Sequence, residues 1–171
     1  CSYIFLCAPV SYNTAYLKQI KNYLHEDCIL TDVGSVKTSI HREVENLGIE
    51  EYFIGGHPMA GSEKSGYVNS KAMLIENAYF ILTPSGKVPQ EKVARYTKFI
   101  EFLHAIPVLL NYQEHDYVTG TISHLPHIIA SSLVNYVRDS DTQEELMKNL
   151  AAGGFKDITR IASSSPTMWQ H

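Results

Sequence analysis

Cys28-Ile29-Leu30-Thr31-Asp32-Val33-Gly34-Ser35-Val36-Lys37 is a short apolar run that meets a glycine-serine turn and then enters a helical stretch reaching about Leu47. An apolar run of this length, bounded by turn residues, reads as a strand buried on both faces. The strand-turn-helix order makes it half of a βαβ unit. The pattern extends in both directions. Residues 3–8 form an apolar run closed by Pro9, and Ala15, Leu17, Ile20 and Leu24 give 14–24 helical spacing. Residues 52–55 and 78–83 predict two more strands, 90–103 an amphipathic helix, and 107–110 a last strand. Strands alternating with helices imply an α/β fold with a mostly parallel sheet covered on both faces. After about Tyr112 the pattern is all-helical. One long helix is expected over 114–138, bent near Pro126, then a helix over 142–150 and another over 155–163 after Gly153-Gly154. Two parts are therefore expected, 1–112 and 113–171.

The totals exclude several classes. The 171 residues are 44% hydrophobic and 19% charged, with a net charge of −4, which suits a globular domain. The scattered charges offer no basic block for nucleic acid or an acidic membrane surface, and no apolar run is long enough to span a bilayer. Three cysteines, Cys1, Cys7 and Cys28, are an odd number without metal-ligand spacing. They suggest reduced thiols and a cytoplasmic setting. The first strand begins without an initiator Met, and the last residues open a helix that stops, so both ends read as cuts.

Open α/β sheets bind ligands beyond the carboxyl ends of their strands. Those points are Pro9-Val10, Gly34-Ser35-Val36-Lys37 and Gly56-His57-Pro58. No G-x-G-x-x-G occurs, so the phosphate-binding turn of a dinucleotide fold is not among these residues. His57 opens a segment, 55–66, with four glycines in twelve residues, a loop suited to close backbone approach. Ser35 is expected to hydrogen-bond the imidazole and fix its tautomer, besides capping the following helix. Lys37 reads equally well as a surface lysine.

On the long helix, Val118, Ile122, Leu125, Ile129, Leu133 and Tyr136 share one face; Asp116, Gly120, Ser123, His124, His127 and Ser131 lie opposite. A solvated face is the ordinary reading of such a polar stripe. The absence of Lys, Arg and Glu over 117–137 favours a cleft or ligand instead. Asp116, His124 and His127 lack the further ligands a metal site needs, so no metal is expected. Arg160, among Ile158, Ile161 and Ala162, needs an anion, either Asp157 or a ligand's carboxylate.

Four segments, D-V-G-S-V-K (32–37), G-G-H-P-M-A-G-S-E-K-S-G (55–66), H-D-Y-V-T-G-T-I-S-H-L-P-H (115–127) and G-G-F-K-D-I-T-R-I-A (153–162), with P-T-M-W at 166–169, closely resemble the prephenate dehydrogenase family. The resemblance implies the C-terminal part of a Rossmann-like sheet followed by an incomplete all-helical dimerisation domain. It implies oxidative decarboxylation of prephenate to 4-hydroxyphenylpyruvate in tyrosine biosynthesis, with hydride passing to NAD or NADP, NAD favoured. It makes His57 the acceptor of the substrate hydroxyl's hydrogen bond and Ser35 its catalytic partner. His127, Arg160, Ser123, Lys156, Glu63 and Trp169 become substrate-binding residues, and Ala8, Pro9, Gly34 and Ser35 line the cofactor cleft. The implied partners are a small-molecule substrate and a second copy of the chain. Two alternatives stand beside this reading: arogenate as the substrate, and a non-catalytic dimerising fragment that binds cofactor weakly for want of the glycine-rich turn.

Overall fold

The computed structural model describes residues 1–61 and 66–163; Glu63 and Trp169, both expected in the site, lie outside the described residues. The chain forms two units, one running to Tyr117 and one beginning at Val118.

In the first unit, β1 (Tyr3–Leu6) and β2 (Ile29–Asp32) pair in parallel, with Tyr3 opposite Ile29 and Leu6 opposite Asp32. A parallel bridge from Leu30 to Phe53 joins them to β3 (Ile54–Pro58), which pairs with β4 (Tyr79–Pro84) and then β5 (Ile106–Leu109). Every residue of β2 is buried. Alternate side chains of a strand face opposite ways. Ile29 accordingly joins a core with Ile54, Leu82, Val93, Tyr96 and Ile100 on the side of α3 (Gln90–Phe102). Leu30 joins Leu17, Ile40, Val44 and Phe53 on the side of α1 (Val10–Ile20) and α2 (Thr38–Leu47). Burying each of these large side chains contributes about 1.5–3 kcal/mol. Thr31 follows the Ile29 side, where its hydroxyl meets the Tyr96 hydroxyl at 3.0 Å. Asp32 therefore turns toward α2, which decides where the site forms.

The sheet departs from the expected parallel order at one place: β4 runs antiparallel to β3, with His57 opposite Ile81. A parallel return needs a crossover of a dozen or more residues, usually a helix. Between β3 and β4 the described residues hold only the 3₁₀ turns Tyr67–Asn69 and Ala72–Leu74, so the chain comes back beside β3 in the opposite sense. From β4 to β5 the helix α3 makes the crossover, and that pair is parallel.

The end of α2 is legible in sequence, but its start is not. Gly48, in the left-handed region at φ +65°, donates to the Glu45 carbonyl, and Ile49 closes on the Val44 carbonyl at 3.2 Å. At the other end no neighbouring side chain caps the helix. The carboxylate of Asp116, on α4 (Tyr112–Thr119), accepts the Lys37 and Thr38 amides at 2.8 Å each, together with the Thr38 hydroxyl. The cap expected of Ser35 thus comes from a residue 78 and 79 positions away.

The second unit continues from α4 through a π-helical turn, Gly120–His124, into α5 (Leu125–Ser140), followed by α6 (Leu146–Asn149) and α7 (Gly153–Thr159). The irregularity expected at Pro126 is the π turn. Proline has no N–H, and its ring crowds the carbonyl four residues back, here Ile122. The wider turn relieves that crowding, with the Leu125 amide donating to the Gly120 carbonyl. Asp141 shortens the next helix by accepting the Thr142, Met147 and Lys148 amides at 2.8, 2.8 and 3.0 Å.

Candidate active site

The ends of β1, β2 and β3 are gathered by Asp32. Its carboxylate accepts the Gly34 amide at 3.0 Å, the Gly56 amide at 3.2 Å, and the Lys37 ammonium in a fully buried ion pair. Both glycines are needed for this approach. A Cβ at Gly34 would sit 2.7 Å from the Val10 side chain, and one at Gly56 would sit 2.6 Å from the Asp32 carbonyl oxygen. The close packing of Gly34 on Val10 puts the turn after β2 against the turn after β1, where Ala8 and Pro9 lie. Lys37 is therefore not the surface lysine its position suggests. Burial pushes its ammonium pKa down, and the carboxylates of Asp32 and Asp116 push back. An ion pair this deeply buried costs about 3–5 kcal/mol to break by removing one partner.

His57 stands in β3 at this carboxyl edge. Its Nδ1 lies 2.8 Å from Nε2 of His115, and the two rings meet edge to face with centroids 5.0 Å apart. His115 is fully buried, and its Nδ1 lies 2.8 Å from Asp116. Burial alone would raise the Asp116 carboxyl. The bonds from His115, Thr38 and the Lys37 and Thr38 amides instead hold it well below the usual carboxylate range. The contact expected between Ser35 and the imidazole is made by His115; Ser35 stays exposed in the turn after β2. Behind this row His41 is buried, stacked on Tyr112 at 4.4 Å and bonded to Thr83 and Ser85 at 3.0 and 3.3 Å.

Ser35 and His57, with the cofactor-cleft residues Ala8, Pro9 and Gly34, thus share one edge of the first unit. The other described candidates belong to the second. Ser123 is exposed in the π turn, and His127 is half-buried on α5. Lys156 is on α7, and Arg160 opens the 3₁₀ turn Arg160–Ser163, which packs with α7 against α5. Arg160 is exposed, not sunk among its apolar neighbours as its sequence context suggests. Asp116 is unsuited to a metal, because hydrogen bonds from His115, Lys37 and Thr38 occupy both of its oxygens. Among the described residues no group of three His, Cys, Asp or Glu side chains is placed to hold a metal ion.

The roles of Asp32, Lys37, His115 and Asp116 escaped the sequence reading, which weighed Lys37 as a surface lysine and Asp116 as a metal ligand. The polar Asp32 at the end of an apolar run was the available signal for one of them. His115 and Asp116 stood within a quoted motif, but nothing local shows that they reach His57 and α2.

Two family models cover the chain in succession. A family model described as prephenate dehydrogenase, nucleotide-binding domain, matches residues 1–108; one described as prephenate dehydrogenase, dimerization domain, matches 111–171. A prephenate dehydrogenase of Bacillus subtilis (strain 168) is 41% identical over 98% of this chain and 46% of its own length. One from Lactococcus lactis subsp. cremoris is 43% identical, over 97% and 46%. The chain spans about half the length of these curated relatives. The crystal structure of an A. aeolicus prephenate dehydrogenase in complex with hydroxyphenyl propionate and NAD+ matches with a TM-score of 0.90 and 37% identity, over 99% of this chain and 59% of that one. With both units matched in order, and with His57 and its glycine-rich surroundings at the sheet's carboxyl edge, the chain belongs to the prephenate dehydrogenase family.

Proposed function

We propose that the protein of which this chain is the matched part converts prephenate to 4-hydroxyphenylpyruvate, releasing CO2 and reducing NAD+. The observation that carries this reading is His57, held at the carboxyl edge of the sheet beside the bare backbone of Gly34 and the Ala8-Pro9 turn. Gly34 packs so closely on Val10 and Asp32 that the turns after β1 and β2 come together at the carboxyl edge, where Ala8, Pro9 and Gly34 would hold the nicotinamide. Bound NAD+ supplies the hydride acceptor. His57 accepts the hydrogen bond of the substrate hydroxyl while its carbon loses hydride and its oxygen gains carbonyl character. The electron pair of the bond to the ring carboxylate then flows into the ring as CO2 leaves, and the oxygen ends as a phenol. Ser35, exposed in the turn after β2, is suited to orient the nicotinamide. Arg160 offers a guanidinium for a substrate carboxylate, with His127, Ser123 and Lys156 as further contacts; Glu63 and Trp169 complete the proposed set.

The same reading includes a homodimer. Ile122, Leu125, Ile129 and Tyr136, one face of the helix through α5, are 60%, 48%, 54% and 70% exposed. An apolar stripe of this extent is an interaction surface. The three cysteines are free thiols, which supports the cytoplasm as its setting. No helix among the described residues is long and apolar enough to cross a membrane.

Steady-state NADH formation by the intact enzyme tests the activity. Prephenate and NAD+ should give NADH and 4-hydroxyphenylpyruvate. Turnover of arogenate in its place would move the substrate, and no NADH from either would contradict the reading.

A further inference from the structure

We propose that His115 and Asp116 are positioning residues that fix His57 with its proton on Nδ1, so that Nε2 is the atom that meets the substrate hydroxyl. This deepens, and rests on, the assignment of His57 as hydrogen-bond acceptor. The ionised carboxylate of Asp116 only accepts, so the His115 nitrogen 2.8 Å away, Nδ1, carries a proton. A neutral imidazole has one N–H, which leaves His115 Nε2 as a lone pair. That lone pair faces His57 Nδ1 at 2.8 Å. Two lone pairs at that separation repel, so His57 Nδ1 is the donor and its Nε2 the acceptor. The competing assignment makes His115 an imidazolium and reverses the second bond. It puts a charged ring where no surface is exposed to solvate it.

Asp116 does more than end the row. The same carboxylate accepts the Lys37 and Thr38 amides, so the acceptor's orientation is tied to the first turn of α2 and the Gly34-Ser35 turn before it. The Gly34-Ser35 turn and the base that serves the substrate are thereby fixed by one anchor. A positioned base works only when the correct nitrogen is presented.

The intact enzyme labelled with ¹⁵N-histidine gives the direct reading, with His57 assigned by the signal that His57→Asn removes. Long-range ¹H–¹⁵N correlations should show His57 protonated at Nδ1 and bare at Nε2; the opposite pattern overturns the proposal. Two variants add a kinetic reading. His115→Phe keeps a ring but removes the acceptor, and should lower kcat about tenfold or more, a share of the about 10²–10⁴-fold a positioned base contributes, with KM for prephenate nearly unchanged. His115→Gln restores an acceptor oxygen and should recover most of that loss. An unaltered kcat in His115→Phe, or equal losses in both variants, also overturns the proposal. If His115→Phe does not fold, the wild-type tautomer decides alone. Failure of the underlying reading looks different, because His57→Asn would then turn over normally whatever the tautomer.

Discussion

His41 shows what one buried residue contributes. It lies on α2 with both ring nitrogens bonded and no exposed surface. Burial pushes its imidazole down to about 4 from an ordinary 6.5, and the Lys37 ammonium pushes the same way. Because the folded value lies below the unfolded one, the unfolded chain takes up the proton first. The contribution is complete above about pH 6.5 and is lost as the pH falls toward 4. Between pH 7 and pH 5 the loss should be about 2 kcal/mol, read as a shift in urea midpoint. His41→Phe should flatten that dependence, and an equal slope in the variant would show that His41 does not titrate as described. At this scale the sequence was a partial guide. The place of His57 at the sheet's carboxyl edge was legible from the strand that carries it. Its partner was not, since His115 reaches it across 58 residues.

Among the elements, β2 and α3 were the most legible. A doubly buried strand must be a continuous apolar run, and Val93, Tyr96 and Ile100 repeat at helical spacing. β3 was less so. Expected over 52–55, it runs Ile54–Pro58, because two glycines and a proline carry no periodicity. The antiparallel return to β4 was invisible, since the 3₁₀ turns described before it carry no periodicity. The joining of β2, α2 and β3 depends on the buried pair of Asp32 and Lys37. Lys37→Met should cost about 3–5 kcal/mol in urea unfolding, since it strands a carboxylate away from water. Combining it with Asp32→Asn should recover part of that loss, because no charge is left buried, while the single amide oxygen keeps only one of the two glycine amides. A loss under about 1 kcal/mol for Lys37→Met alone would contradict this role.

For the whole molecule, the proposed dimer and the proposed chemistry make separate demands. Ile129→Asp puts a charge in the middle of the apolar stripe and should shift the intact enzyme from dimer toward monomer in sedimentation velocity. An unchanged sedimentation coefficient would move the interface elsewhere. Helix-only patterning replaces alternation near Tyr112, whereas the structure divides after Tyr117; the substrate roles proposed for the helical candidates come from motif resemblance, since spacing along a chain does not encode convergence. The central claim is that His57 serves the substrate hydroxyl. Steady-state kinetics of His57→Asn with prephenate and NAD+ in the intact enzyme test it most directly. The account predicts a fall in kcat of about 10²–10⁴-fold with KM for prephenate little changed. Wild-type turnover in that variant would contradict it.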